Sequence, residues 1–201
     1  YWHGFDRLLK GLANYYIHSP QYKVYFHIIG DFFNPGEREE YMSIIKENHL
    51  DPYVILHGRQ AGQMLDLLFE LCDFGIGSLG RHRSGITNIK TLKNREYAAR
   101  GIPFIYSEID EDFENMPYIM KIPANEEAVD IKQILNFYNQ LHITPLEIRN
   151  SIRHLSWNNQ MKKVLDEMQK KDKINPNNNN IANFATLYTN KFIPNKEKWP
   201  H

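Results

Sequence analysis

Cysteine is nearly missing from this chain: Cys72 is the single one among 201 residues. That excludes an intrachain disulfide framework and a thiolate metal cluster, and it fits a reducing compartment. Cys72 follows a leucine-rich segment and reads as a buried thiol. Excess charge is missing as well. Lys plus Arg and Asp plus Glu both number 24, so net charge makes no case for nucleic acid or an anionic membrane as partner. No apolar run approaches a membrane span, and no opening segment reads as a signal peptide. No group of His, Asp, Glu and Cys has recognisable metal spacing. No carboxylate pair can be assigned to glycosidase chemistry.

What the chain does hold is aromatic: 12 Tyr, 11 Phe and 3 Trp, a composition of packed structure rather than disorder. The length suits one domain with a sizeable core and an appendage. The sequence opens on Tyr1, already inside patterned residues, so a piece of a longer protein is expected.

Apolar residues at helical spacing from Phe5 to His18 predict a helix with Asp6, Arg7 and Lys10 on its polar side. Val24–Ile29 is a compact β-rich run closed by Gly30, the pattern of a central parallel strand. Asn34 as cap, Pro35 at the first helical position and Glu37 three after the cap open a helix to about His49. A strand at 53–57 ends at Gly58, a helix spans 64–71, and a weaker strand covers 73–76. A long loop, 77–88, precedes a helix over 90–100 and a strand over 102–106. The acidic segment 108–114 reads as a solvated loop, followed by a strand at 118–122. A helix over 126–142 faces Ile131, Ile134, Leu135 and Tyr138 inward. Thr144, Pro145 and Glu147 form a capping box, and Ser156 caps a last amphipathic run through Trp157, Met161, Val164, Leu165 and Met168. The expected fold class is therefore α/β, a Rossmann-like open parallel sheet with helices on both faces. The expected domain spans 1–170, with a polar Lys/Asn-rich linker at 171–180 and an appendage at 181–201.

The stretch from Ser84 to Tyr106 organises the rest. A glycine-bearing loop leads into a helix carrying Lys93 and Glu96, and Gly101 then stops that helix before an apolar strand. Backbone N–H groups of Ile89, Lys90, Thr91, Leu92 and Lys93 at the helix start are suited to an anion. A cap by Asn88 is the alternative use of those groups. Gly30 and Gly58 read as close-approach positions at strand ends. His27 and His57 read as packed histidines. Open parallel sheets bind ligands at the carboxyl ends of their strands, where these loops fall. The segment Gly30-Asp31-Phe32-Phe33 lacks the glycine-rich fingerprint of a dinucleotide-binding dehydrogenase.

Five segments, taken in order, resemble the nucleotide-sugar-binding half of a GT-B glycosyltransferase. They are Trp2-His3-Gly4-Phe5-Asp6, Ile28-Ile29-Gly30-Asp31, Val54–Gly58, Leu92–Ile105 and Ser156-Trp157. More narrowly, they resemble the C-terminal domain of the retaining family 4 transferases, which include bacterial capsule, lipopolysaccharide and mannosyl transferases. The resemblance covers roughly residues 2–170. It implies transfer of a hexosyl-type sugar from a UDP- or GDP-linked donor to an acceptor hydroxyl on a saccharide or lipid-linked acceptor. It further implies polysaccharide biosynthesis and a cleft shared with an N-terminal acceptor-binding domain that this chain does not include. No prosthetic group or metal is expected, and no nucleic acid. The implied location is cytoplasmic, with a peripheral position on the inner membrane face as an alternative. The isolated chain is expected to bind donor weakly and to turn nothing over.

In that resemblance His3 and Gly4 stand where the family has its opening Lys-Gly, and His3 replaces a lysine that helps hold the pyrophosphate. Glu96 matches the second of two family glutamates and would accept hydrogen bonds from the ribose hydroxyls. Asn88 occupies the place of the first and would position the sugar. Lys93, helped by Arg81 and Arg83, would neutralise the leaving diphosphate. A nucleotide-sugar epimerase and a non-catalytic nucleotide-binding or interaction module are the alternatives.

Overall fold

The computed structural model describes residues 2–174, with side chains as far as Lys170. The expectations for residues 175–201 lie outside the described residues. Strands and helices alternate through α1 (Phe5–Tyr16), β1 (Phe26–Ile29), α2 (Pro35–Glu47), β2 (Val54–Gly58), α3 (Gly62–Glu70) and β3 (Gly75–Ile76). They continue through α4 (Leu92–Arg100), β4 (Phe104–Tyr106), β5 (Ile119–Lys121), α5 (Ile131–Asn139), α6 (Pro145–Ser151) and α7 (Trp157–Ile174). Every strand pairing is parallel: β1 with β2, and β3–β4–β5 in that order. This is the open, Rossmann-like α/β arrangement that the alternation predicts. The hydrogen-bonded ladder is divided into a pair and a triplet, which one apolar core joins. Leu9 and Leu12 from α1, Phe26 and Ile28 from β1, Val54 from β2 and Ile105 from β4 belong to the same buried cluster.

The chain falls into two compact units, one ending at Ser151 and one beginning at Ile152. The expected 1–170 domain thus spans a unit boundary. In the second unit, Asn159 N–H donates to Ser156 Oγ at 3.4 Å, the cap expected of Ser156. Helix α7 continues to Ile174, so residues 171–174 of the expected linker are helical. Its amphipathic run leaves Trp157, Met161 and Val164 exposed. Among the described residues no helix is long and apolar enough to cross a membrane.

Local chemistry sets the helix ends. Asn34 Oδ1 accepts the Glu37 N–H at 2.9 Å while Glu37 Oε2 accepts the Phe33 N–H at 2.8 Å, a reciprocal cap. At α6 the Thr144 N–H donates to Glu147 Oε2 at 2.8 Å and the Glu147 N–H to Thr144 Oγ1 at 3.2 Å. Gly101 ends α4 in the left-handed conformation, φ 77°, with Pro145 packed where a Cβ would stand.

Three expectations need correcting. Asp6 and Arg7 do not sit on a solvated face; both are buried. The Arg7 guanidinium donates to the carbonyls of Leu79 at 2.6 Å, Glu127 at 2.8 Å and Pro123 at 3.1 Å. A buried charge is tolerable when its hydrogen-bonding capacity is met in this way. The acidic segment is not solvated throughout either: Glu108, Asp110 and Phe113 are buried. Asp110 accepts hydrogen bonds from Asn94 Nδ2 at 3.0 Å and Arg95 Nη1 at 3.1 Å. Finally, α5 starts at Ile131 rather than near Glu126, because Asp130 caps it through the Lys132 N–H at 2.8 Å. Tyr138 then lies 38% exposed instead of facing inward.

Candidate functional site

Where β3 and β4 end, the backbones of Gly77–Arg81 and Ser107–Glu108 run side by side. Gly77 N–H donates to the Ile105 carbonyl at 2.7 Å and Ser107 N–H to the Ser78 carbonyl at 3.0 Å. The residues leading into α1 close on the same place, through Leu79 N–H to the His3 carbonyl at 3.0 Å. Gly4 makes that approach feasible. Its φ is +65°, and a Cβ there would stand 2.6 Å from the Leu79 carbonyl carbon, so both conformation and space require glycine. Its part in the site is to let the backbones meet.

Three basic side chains gather on this backbone frame. Lys93, in the first turn of α4, places Nζ 3.3 Å from His3 Nδ1 and 5.1 Å from the centre of the Phe5 ring. His3 is stacked on Phe5 with centroids 5.2 Å apart. Arg81 stands in a short 3₁₀ turn, Arg81–Ser84, with its guanidinium 4.8 Å from the Trp2 ring centre. The Arg81 N–H donates to Glu108 Oε1 at 2.8 Å, and Ser78 Oγ reaches the same oxygen at 3.4 Å. Glu108 Oε2 and Arg81 Nε are both buried without a hydrogen-bond partner.

The electrostatics follow from crowding like charge in a partly dry place. Burial, then Arg81, pulls the Lys93 ammonium down to about 8, with Glu108 opposing. Burial and Lys93 lower His3 to about 4. His3 is accordingly neutral near pH 7, with Nδ1 accepting from Lys93, which leaves the proton on Nε2. His3 therefore brings no fixed positive charge to this place; Lys93 and Arg81 are the charged groups that act on it.

The other sequence-predicted residues are distributed less tightly. The α4 helix begins at Leu92, and Thr91 rather than Asn88 caps it, accepting the Asn94 N–H at 3.2 Å. Asn88 is exposed and forms a β-bridge with Ile109. The Ile89 N–H is already bonded to the Ile109 carbonyl at 2.8 Å, which removes it from the expected anion cradle. Lys90 Nζ lies 3.4 Å from both Glu111 and Asp112, and these carboxylates, Asp112 foremost, hold its ammonium above the usual range. Leu92 is exposed. Glu96 pairs with Arg100 at 2.6 Å, and Arg100 also reaches Asp66 of α3 at 2.7 Å. Ribose binding by Glu96 would have to compete with that exposed pair, which is weak.

Gly30 and Gly58 have φ of 124° and 64°, and nothing lies within 4 Å of a Cβ built at either. Their glycines are required by conformation, not by close approach of other protein atoms. Gly30 N–H donates to the Gly58 carbonyl at 2.8 Å, where β1 and β2 end. Between those strands His27 Nδ1 and His57 Nε2 are 2.9 Å apart in stacked rings, in keeping with packed histidines. Arg83, read as a helper cation, instead pairs with Asp6 at 2.8 Å and with Glu126. Among the described residues no group of three or more potential ligands could hold a metal ion. Glu108 and Ser78 are the site residues that sequence reasoning missed. The available signal was their place immediately after two apolar strands, at the edge where parallel sheets bind ligands.

The site therefore offers two cations, a neutral histidine and a buried carboxylate at the carboxyl ends of β3 and β4. Comparison with protein-family models, curated proteins and solved structures gave no match.

Proposed function

We propose that the chain is the donor-binding domain of a retaining glycosyltransferase that moves a hexosyl-type sugar from a nucleoside-diphosphate sugar to an acceptor hydroxyl. The observation that carries this is the convergence of Lys93, Arg81 and His3 at the carboxyl ends of β3 and β4, beside the first turn of α4. A diphosphate is the ligand chemistry that such a cluster complements best. As the bond to the anomeric carbon breaks, negative charge grows on the departing diphosphate. Lys93 and Arg81 would stabilise it, in surroundings dry enough for the interaction to count. His3 would donate from Nε2. Acceptor attack on the same face as the departing group would occur in a cleft shared with an N-terminal domain, which is why the isolated chain is expected to bind without turnover.

Titration of the chain with UDP, GDP and ADP, followed by calorimetry or NMR shifts, tests this. Saturable binding by UDP or GDP that Lys93→Met weakens at least tenfold is the expected result. No binding by a correctly folded sample would defeat the proposal. A second reading, a non-catalytic nucleotide-binding module, draws on Asn88, uncharged and exposed where the resemblance implies a sugar-contacting carboxylate. Sugar transfer by a longer protein containing this chain separates the two.

A further inference from the structure

The donor-domain reading leaves Glu108 unused, yet it is the most unusual side chain in the site. It is 2% exposed, follows β4, and spends one oxygen on the Arg81 N–H and Ser78 hydroxyl. The other oxygen, Oε2, is buried with no partner. A buried carboxylate oxygen left unmet is costly, and native proteins retain such a group where something else completes it. Arg81, its immediate neighbour in the fold, carries a matching deficit in its buried Nε. Among the described residues Arg81 has no ion pair, and its guanidinium rests against Trp2. The neighbouring Arg83, by contrast, is fixed by Asp6 and Glu126.

A ligand that satisfies both deficits must present a hydrogen-bond donor to Glu108 and an acceptor to Arg81. A nucleoside diphosphate alone supplies acceptors at its phosphates, and the donor-domain reading gives its ribose hydroxyls to Glu96. A hexose joined to that diphosphate adds hydroxyl donors within a few bonds of them. Resting on the donor-domain reading, we propose that Glu108 is a sugar-recognising residue. Its Oε2 accepts a hydroxyl of the transferred hexose once Arg81 turns from Trp2 to the diphosphate. Glu108 thereby does the work that the resemblance gives to the position of Asn88. No bond is made or broken at Glu108; its role is to select and orient.

The test compares UDP with UDP-glucose, and GDP with GDP-mannose, on the full chain and on Glu108→Gln. Glutamine keeps an oxygen for the Arg81 N–H and Ser78, and turns the Oε2 position into a donor. With wild type, at least one hexose-bearing nucleotide should bind more tightly than its parent diphosphate. Glu108→Gln should lower that advantage, read as the ratio of the two affinities within each protein, about tenfold, with an unchanged far-UV circular dichroism spectrum showing that the variant is folded. Equal loss for the diphosphate and its hexose form, no loss for either, or no wild-type preference for any hexose form overturns the role of Glu108 while leaving the diphosphate site standing. If neither UDP nor GDP binds the wild-type chain, the donor-domain reading fails and this inference falls with it.

Discussion

Lys93 carries the clearest conflict between stability and function. Its ammonium ordinarily titrates at 10.5 and is lowered to about 8 here, burial being the largest cause and Arg81 the next. Between those two values the unfolded chain holds a proton that the folded chain has lost. Stability therefore rises with pH across that window, and below about pH 8 the full penalty of the buried charge is present. Replacing Lys93 with Met keeps an unbranched side chain and removes the charge that stands 5.1 Å from the Phe5 ring centre. The expected outcome at pH 7 is a variant with a higher melting temperature, by about 2–4 °C for each kcal/mol of relieved penalty, and with weakened diphosphate binding. Wild-type binding should decline as pH rises through about 8, and the variant should lack that limb. Thermal melts and UDP titrations from pH 6 to 10 provide the check. A variant that melts below wild type would show that Lys93 is held by favourable contacts instead of strained by burial.

At the scale of elements, Arg83 ties the 3₁₀ turn after β3 to α1 and to the segment before α5. It donates to Asp6 Oδ1 at 2.9 Å and Oδ2 at 2.8 Å, and to Glu126 Oε1 at 3.0 Å. Removing one partner of a buried pair leaves the other as an unpaired charge. Arg83→Met should destabilise the chain by about 3 kcal/mol in urea unfolding, and Asp6→Leu combined with Arg83→Met should recover much of the loss. Asp6 adds a pH dependence. Burial pushes its carboxyl up, but Arg83, with help from Lys10, outweighs this and draws it below the ordinary 3.8. Its contribution is thus present above pH 3.8 and lost as pH falls through the lowered value. That acid sensitivity should vanish in the double variant. The same region explains what the sequence could and could not disclose. Strands, the caps at Asn34 and Thr144 and the stop at Gly101 were legible because each is decided by neighbours along the chain. Asp6, Arg7, Glu108 and Asp110 looked solvated because helical and turn patterns treat charge as outward. Their partners lie far along the chain, as with Arg7 and the carbonyls of Leu79 and Pro123. Lys93, Arg81 and His3 were legible as separate candidates; that they converge, while Asn88 and Ile89 are tied to Ile109, is a property of the tertiary fold.

For the molecule as a whole, the division after Ser151 decides how much chain the site needs. Every residue placed in the cluster, from Trp2 through Glu108, belongs to the first unit, as do the strands and the core cluster that joins them. Helix α6 also belongs to that unit and packs on α4. There Pro145 fills the space above Gly101, and Ser151 meets the Tyr118 hydroxyl at 2.7 Å. A cut before α6 should therefore uncover α4 and impair the fold, whereas a cut after Ser151 leaves the first unit whole. A chain of residues 1–151 should retain its far-UV circular dichroism, unfold cooperatively, and bind UDP or GDP within about threefold of the 201-residue chain, a difference of under about 1 kcal/mol. A chain of residues 1–143 should lose cooperative unfolding. If residues 1–151 fold but bind neither nucleotide while the longer chain binds one, the second unit contributes to the site, and the cluster at the ends of β3 and β4 is insufficient to hold a diphosphate.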